Sequence, residues 1–308
     1  MTRLPRMTEG ALVVVIPVYS LGASIRPTLN SIETSVRAWT RDSYSVFLSD
    51  SSVTDQSVQE ATIWAEEVQC SLVVDHSDDR RIKKIALNKA FASSVVANAD
   101  VVIVCDDDII VERESISALI KALKEHPEAI AAVGVTRADP KYSRGLRAGG
   151  AWDLDVNSRI ARRLPTVFVR SEGALWAATG SFCSSYQFPT DDGSVVEDQV
   201  LANYIVAHDL VSLNVPDAVA YKIPPRGFKD FANQSRRTRS ALQSAITPRT
   251  PNSVRVRSVI APTLRNPFGA ILYGVFWSVL LFDSWRAVEK TNQYWTRSPS
   301  TARHAGDQ

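Results

Sequence analysis

An uninterrupted apolar run that ends in three consecutive carboxylates most constrains the fold of this chain. The run covers Val101–Cys105, and Asp106, Asp107 and Asp108 follow it directly. Continuous valine and isoleucine are typical of a strand that is covered on both faces, as in mostly parallel sheets. Ligands of open α/β sheets bind beyond the carboxyl ends of such strands. The run therefore predicts an α/β fold with a functional site at the three acids.

The spacing of these acids predicts how they are used. Residues two apart on an extended chain point to the same side, so Asp106 and Asp108 can converge on one cation or ligand while Asp107 faces away. Mn²⁺ and Mg²⁺ prefer oxygen ligands and usually keep substrate phosphates as partners. We therefore expect a Mn²⁺ or Mg²⁺ ion here. The alternative is a solvated acidic turn before a helix predicted over residues 115–124.

Composition narrows the class of protein. The chain has 308 residues, of which 45% are hydrophobic, so it can form one large domain or one domain with an appendage. Its net charge of +2 argues against a nucleic-acid partner. Cys70, Cys105 and Cys183 form no CxxC pair, which favours buried thiols over disulfides or zinc. The apolar run at residues 11–18 contains Pro17 and lacks a small-residue cleavage site, so we expect no secretion signal.

Apolar runs alternate with segments of helical period through the first half of the chain. The predicted strands are 12–18, 45–48, 71–74, 101–105 and 130–135, and the predicted helices between them are 23–38, 55–67, 82–97 and one ending near 126. This alternation is typical of βαβ units and predicts a mostly parallel sheet with right-handed crossovers. Neither GxGxxG nor GxxxxGK[ST] is present, so any nucleotide site must be of another kind.

Polar turns close three of the predicted strands. Pro17, Tyr19 and Ser20 follow the first strand, residues 50–55 follow the second, and the acids 106–108 follow the fourth. Together these turns resemble the GT-A fold of inverting family 2 glycosyltransferases, which use nucleotide-diphosphate sugars. In that family the corresponding turns are Pro-x-Tyr-Asn-like, Asp-Asp-Gly-Ser-like and Asp-x-Asp. The resemblance covers about residues 13–239.

The resemblance also implies a domain organisation. The GT-A domain would span residues 1–245, with a nucleotide-binding half at 11–135 and an acceptor half at 136–245. Residues 136–170 have no strong period and predict loops that contact the acceptor or cover the donor. Residues 246–308 would form a basic and apolar C-terminal extension.

Roles at the donor site follow from the same resemblance. Pro17 and Tyr19 would shape the base pocket, and Asp50 would accept a hydrogen bond from the base. Asp106 would approach the ribose, and Asp107 is grouped with the donor-binding residues. The metal ion would be held by Asp108.

Two further segments resemble family elements beside the nucleotide. Residues 81–90 resemble a Lys-x-x-x-Leu-Asn element, from which we assign Lys84 and Asn88 to donor binding; the alternative is an exposed i, i+4 pair on a helix surface. Residues 229–239 resemble a Gln-x-x-Arg-Trp element that lacks its Trp. Planar guanidinium groups bind diphosphate oxygens well, so Arg236 and Arg237 are the candidates for stabilising the leaving group.

An acid pair, Glu197 and Asp198, opens a predicted helix and matches the family's Glu-Asp motif. An inverting transfer needs a base that takes the proton of the acceptor hydroxyl, and a carboxylate can do this. We assign that role to Asp198, with Glu197 orienting the site or binding acceptor. The alternative is compensation of the helix dipole. Trp176, in an apolar run before this pair, faces the sugar or belongs to the core.

A nearly uncharged apolar segment follows a basic region near the C-terminus. Residues 267–285 are shorter than the ~20 apolar residues of a full membrane span. Three alternatives remain: an interfacial or re-entrant helix, a short span, and a helix that packs on the catalytic domain or a partner. The preceding cations suit an anionic membrane surface. They are Arg226, Lys229, Arg236, Arg237, Arg239, Arg249, Arg255 and Arg257.

These patterns predict an inverting, metal-dependent glycosyltransferase that moves a sugar from a nucleotide-diphosphate sugar to a hydroxyl acceptor, a glycan or a lipid-linked molecule. We expect it to act in polysaccharide or glycoconjugate synthesis at the cytoplasmic face of a membrane. One alternative is a sugar nucleotidyltransferase, which needs a Gly-rich basic loop where residues 21–27 offer only Gly22 and Arg26. Another is a non-catalytic, membrane-attached nucleotide-sugar binding module.

Overall fold

The computed structural model describes residues 11–283 except 20–24, 41, 52–55, 78–81, 191–195, 244–245, 247 and 249, and only the backbone at 236–243 and 280–283. The strands are β1 (Leu12–Val18), β2 (Ser45–Asp50), β3 (Ser71–His76), β4 (Val101–Cys105), β5 (Ile109–Val111), β6 (Ala129–Ala138), β7 (Leu175–Thr179) and β8 (Val211–Lys222). The helices are α1 (Arg26–Trp39), α2 (Gln56–Val68), α3 (Lys83–Phe91), α4 (Ser94–Ala97), α5 (Ser115–Glu125), α6 (Ala148–Ala161), α7 (Gly180–Ser185), α8 (Glu197–Ala207), α9 (Phe228–Gln243), α10 (Asn252–Arg265) and α11 (Pro267–Asp283).

The described strands form a single sheet in the order β3-β2-β1-β4-β7-β6-β8-β5. Strands β3, β2, β1 and β4 are parallel, and so are β6 and β8. Strand β7 runs antiparallel between β4 and β6, and β5 is an antiparallel edge strand beside β8. The predicted α/β fold with a mostly parallel sheet is therefore confirmed, and the ends of β1, β2 and β4 lie side by side.

Both faces of the sheet are buried, which explains the continuous apolar runs. Successive side chains of a strand point to opposite faces. In β1, Val14 packs with Leu29 and other residues of α1, whereas Val15 packs with Leu87 of α3 on the other face. Full burial of such a side chain stabilises the fold by roughly 1.5–3 kcal/mol. The packing therefore fixes the strand ends where the polar turns begin.

Helix α1 holds the turn that follows β4. The Thr28 hydroxyl lies 2.8 Å from the backbone oxygens of both Asp107 and Ile109. Further along the helix, the Ser31 hydroxyl accepts a hydrogen bond from the Val111 N–H at 3.0 Å. These side chains satisfy backbone groups that have left the β4 ladder, which a buried turn requires. The acidic turn is therefore a fixed part of the fold, and the alternative of a solvated turn is wrong.

Two elements differ from the sequence prediction. The helix predicted over 82–97 is divided into α3 and α4, because Ser93 caps α4 by accepting from the Val96 N–H at 3.3 Å. Residues 136–170, predicted to be loops, contain helix α6. Its first turn holds Gly149 and Gly150, which lie against α11 and against Pro225. Packing with distant segments therefore stabilises a helix that the local sequence does not indicate.

Helices α10 and α11 pack on α6. The ring centroids of Trp152 and Tyr273 are 4.7 Å apart, and the Trp152 Nε1–H donates to the Thr263 hydroxyl at 3.3 Å. One face of α11 is thus packed on the domain, while Ile271 and Val275 are exposed on it. No described helix has both the length and the hydropathy to cross a bilayer. Residues 284 and 285 of the predicted apolar segment lie outside the described part of the chain.

Candidate active site

A buried lysine at the start of α3 joins the two acidic motifs. The Lys83 Nζ lies 2.5 Å from Asp106 Oδ1 and 2.5 Å from Glu197 Oε1. It also donates to the backbone oxygen of Gly173 at 3.3 Å. Lys83 is only 6% exposed. The end of β4, the loop before β7 and the start of α8 therefore meet at one ammonium group.

A second lysine, at the end of β8, lies between the two acids that follow β4. The Lys222 Nζ is 3.3 Å from Asp106 Oδ2 and 3.3 Å from Asp108 Oδ1. Two carboxylates thus converge on one cation, as their spacing predicts. Asp107 points to the opposite side, where its Oδ2 accepts a hydrogen bond from the Tyr19 N–H at 2.9 Å. Its buried carboxylate ties the turn after β4 to the end of β1, and the assignment of Asp107 to donor binding stays a prediction.

The charges of this cluster shift several pKa values. Burial lowers the pKa of the Lys83 ammonium, but the charges of Asp106 and Glu197 outweigh this effect and raise it above its ordinary value. Burial raises the pKa of Asp108, and the Lys222 charge opposes that rise. Burial and then the charge of Glu197 raise the pKa of Asp198 to about 7. Asp198 can therefore exchange a proton near neutral pH, which a general base needs.

Close packing against the loop before β7 positions the acid pair. A Cβ atom at Gly173 would lie 2.7 Å from Glu197 Oε1 and 3.1 Å from the Asp198 Cβ, so a larger residue there would displace the acid pair. The Asp198 Oδ1 accepts a hydrogen bond from the Gln199 N–H at 2.8 Å. Trp176 is buried below this pair and meets the Phe91 ring edge-to-face at a centroid distance of 6.3 Å. Trp176 therefore belongs to the core.

The ends of β1, β2 and β3 form the other side of the site. Pro17 lies within β1 and Tyr19 directly after it. Asp50, at the end of β2, is fully buried, and its Oδ2 lies 2.8 Å from the Nδ1 of His76. His76 is the residue in register with Asp50 on β3, two residues beyond the end of the strand predicted over 71–74, so the sequence pattern did not indicate it. A predicted third strand that continued to His76 would have indicated this pair.

The spacing of the Lys-x-x-x-Leu-Asn element selects Lys83 as its lysine, and the assignment of Lys84 and Asn88 to donor binding stays a prediction. Counting back from Leu87, the lysine of this spacing is Lys83, and Lys83 makes the contacts to Asp106 and Glu197. Lys84 is itself buried, so the alternative of an exposed pair is wrong. The Asn88 amide donates to the Phe188 backbone oxygen at 2.9 Å and accepts from its N–H at 2.7 Å. Asn88 therefore holds the chain after α7.

Arg236 and Arg237 lie on α9, but their side chains are outside the described residues. Their assignment to the leaving group stays a prediction. The side chains that follow them, where the family element has its Trp, are also outside the described residues.

Asp106 and Asp108 are the candidate ligands of a Mn²⁺ or Mg²⁺ ion. The described residues contain no group of three or more His, Cys, Asp or Glu side chains arranged around a metal position. The carboxylates of Asp106 and Asp108 nevertheless face one point, which the Lys222 ammonium occupies. Mg²⁺ is often held by one or two carboxylates with substrate phosphates as further ligands. The two acids therefore fit such an ion when a diphosphate supplies the other oxygens.

Comparison with known proteins agrees with this geometry. Residues 13–174, just over half of the chain, match the family described as Glycosyl transferase family 2. The chain belongs to this family. Its members transfer sugars from nucleotide sugars, and this glycosyltransferase has the GT-A arrangement in which the polar turns meet at the strand ends. No curated protein matches the chain.

Several solved structures resemble this glycosyltransferase. The mannosyltransferase PcManGT from Pyrobaculum calidifontis, in complex with GDP-Man and Mn²⁺, is 19% identical, with a TM-score of 0.56, and the alignment covers 92% of this chain and 76% of that one. TarS 1-349 from S. aureus is 16% identical, with a TM-score of 0.48 and coverages of 83% and 71%. A mycobacterial protein is 20% identical, with a TM-score of 0.48 and coverages of 78% and 76%. At 19% identity the likeness to PcManGT concerns the fold alone.

Replacement of Lys83 by methionine tests the bridge. Because Asp106 and Glu197 would lose their shared buried partner, we expect the free energy of unfolding to fall by about 3–5 kcal/mol in a urea titration. Lys89→Met, on the exposed face of the same helix, is the matched control and should change it by less than about 0.5 kcal/mol. Equal effects of the two substitutions would contradict the bridging role.

Proposed function

We propose that this glycosyltransferase is metal-dependent and inverting, and that it transfers a sugar from a nucleotide-diphosphate sugar to a hydroxyl acceptor in polysaccharide or glycoconjugate synthesis. One observation carries the proposal. The Lys83 ammonium contacts both the acid that follows β4 and the acid that opens α8. A donor held at Asp106 would therefore place its sugar beside Glu197 and Asp198.

The donor would bind across the ends of β1 to β4. Tyr19 directly follows β1, and Asp50 and His76 end β2 and β3, so the base would lie there and the diphosphate would lie at Asp106 and Asp108. The complex of PcManGT with GDP-Man and Mn²⁺ supports this class of donor and ion. When bound at Asp108, the ion would neutralise charge on the diphosphate. Lys222 already provides a positive charge at this point.

Asp198 is the better candidate for the base, and Glu197 for the positioning residue. The Glu197 Oε1 is held by Lys83 at 2.5 Å. Asp198 is only partly buried and has a pKa of about 7, raised by burial and by Glu197, so its carboxylate can accept the proton of the acceptor hydroxyl. The oxygen would then attack the anomeric carbon from the face opposite the diphosphate, and the configuration would invert.

Asp198→Asn tests this role. We expect sugar transfer to fall by roughly 10²- to 10⁴-fold because the proton acceptor is lost. Donor binding, measured by thermal shift with UDP- and GDP-sugars, should stay nearly unchanged. In the parent, kcat/KM should rise with pH through about 7 and then level off, since only the deprotonated carboxylate is a base.

Asp209→Asn is the matched control for this substitution. Asp209 follows the other end of α8, is exposed, and has a positive φ of 51°, which asparagine tolerates well. Its replacement should leave transfer unchanged. A non-catalytic binding module predicts no difference between the Asp198 variant and the parent, and a sugar nucleotidyltransferase predicts nucleotide transfer instead of sugar transfer. Either result would overturn the proposal.

Asp108→Asn tests the metal site. A ligand that binds only the folded state raises its apparent stability, so Mn²⁺ together with a donor sugar should raise the parent's melting temperature. We expect the variant to lose most of this Mn²⁺-dependent rise and also to lose transfer. Asp100→Asn, just before the opposite end of β4, should keep both. A full Mn²⁺-dependent rise in the Asp108 variant would rule out this metal ligand.

We also propose that the protein lies at the cytoplasmic face of an anionic membrane through α10 and α11. Ile271 and Val275 expose apolar surface on α11, and Arg255 and Arg257 are exposed on α10. Apolar contact and cationic side chains together favour binding in the plane of an anionic interface. In co-sedimentation with vesicles, we expect binding that weakens when the anionic lipid is omitted. Equal sedimentation with and without vesicles would contradict this location.

A further inference from the structure

A second cleft, of about 430 Å³, lies between the ends of β6 and β8 on one side and helices α6 and α10 on the other. Three arginines, Arg137, Arg144 and Arg265, contribute to its lining, together with Trp152 and Tyr221. We call it the arginine cleft. None of these residues belongs to the donor site described above.

The charges in the arginine cleft are unbalanced. Within the described part of the chain, no carboxylate oxygen lies within 4 Å of the guanidinium groups of Arg137, Arg144 or Arg265. The one acid in the lining, Asp155, is already paired with Arg159 at 3.5 Å. The arginines face the same cleft, so each raises the positive potential there. The cleft therefore favours an anionic ligand.

Phosphate suits this arrangement better than a single carboxylate. A guanidinium group donates two parallel hydrogen bonds to phosphate oxygens, and phosphate offers several oxygens to several donors. Arg137 has a fixed position, because its Nε–H donates to the Ser158 hydroxyl at 3.2 Å. Arg144 and Arg265 are exposed at the mouth. A phosphate group could thus bind the guanidinium group of Arg137, whose position is fixed, together with those of Arg144 and Arg265, which are free to adjust.

The arginine cleft adjoins the donor site through the sheet. In the β6–β8 ladder Arg137 pairs with Tyr221, and the next pair is Ala138 with Lys222. Lys222 contacts Asp106 and Asp108, whereas Tyr221 lines the cleft. Neighbouring side chains on a strand point to opposite faces. The arginine cleft and the donor site are therefore separate, although they are lined by successive residue pairs of β6 and β8.

An exposed apolar surface continues from the cleft. Leu264 precedes Arg265 and is 78% exposed, and Ile260 lies one turn earlier on α10 at 55%. Phe268, at the start of α11, is also 55% exposed. A ligand with a phosphate group and an apolar chain would place its phosphate among the arginines and its chain on these three side chains. An unsubstituted phosphate would use only the arginines.

We propose that the arginine cleft binds the phosphate group of a phosphate ester that carries an apolar chain, and that a hydroxyl group of this ester is the acceptor. Its oxygen would bond to the anomeric carbon as the bond from that carbon to the diphosphate breaks, and Asp198 would take the hydroxyl proton. The role of the ester as acceptor rests on the proposed function, whereas phosphate binding does not. The ester would bring a negatively charged group beside the donor site and keep its chain on the surface of α10 and α11.

Isothermal titration of the full chain, without any nucleotide sugar, tests the site. The probes are octyl phosphate, inorganic phosphate and octyl glucoside. We expect octyl phosphate to bind at least about tenfold more tightly than octyl glucoside, because only the phosphate pairs with guanidinium groups. The double variant Arg144→Ala/Arg265→Ala should weaken octyl phosphate binding by about tenfold or more. Both residues are exposed, so the fold should tolerate these changes.

The matched control is Arg113→Ala/Arg163→Ala. It removes the same charge from two exposed positions outside the cleft, one of them just after α6. The control should bind octyl phosphate as the parent does. If octyl phosphate binding weakened equally in both double variants, net charge alone would explain the loss and the proposed site would be wrong. The site would also be wrong if the parent did not bind octyl phosphate. Equal affinities for inorganic and octyl phosphate would overturn the apolar-chain part of the proposal.

The two proposals can fail independently. If the parent binds octyl phosphate but transfers sugar from no donor, the proposed function is wrong and the phosphate site stands. If it transfers sugar but binds neither phosphate probe, the site alone is wrong.

Discussion

The buried ammonium group of Lys83 is the interaction on which the site depends. Asp106 and Glu197 come from opposite halves of the chain, and without a shared cation their negative charges would repel each other. Burying an ammonium group costs several kcal/mol unless it is paired and hydrogen-bonded, and here two carboxylates and the Gly173 oxygen surround it. The same contact that makes the burial of Lys83 possible therefore fixes the distance between the donor acids and the candidate base.

The rest of the fold keeps both ends of this bridge in place. Asp107 ties the turn after β4 to the backbone of Tyr19, and the Thr28 hydroxyl binds the same turn from α1. On the other side, Gly173 allows the loop before β7 to pass directly against the acid pair. These contacts use one buried carboxylate, one hydroxyl and backbone groups. Asp106, Asp108 and Glu197 remain facing the site.

Helix α6 links this site to the C-terminal helices. Gly149 and Gly269 allow close approach between α6 and α11, where Trp152 packs on Tyr273. This packing places Arg265 opposite the end of β6 and creates the arginine cleft beside the donor site. The apolar C-terminal segment is thus half packed on the domain and half exposed, rather than wholly one or the other.

The sequence by itself determined the parallel strands and the convergence of Asp106 and Asp108, because burial on both faces and the period of two are local properties of a strand. It also placed Glu197 and Asp198 at a helix start. Only the tertiary structure decided that Lys83 and not Lys84 bridges the acids, that residues 148–161 are helical, and that His76 faces Asp50. Each of these features depends on contacts between residues far apart in the chain, and the spacing of neighbouring residues cannot predict such contacts.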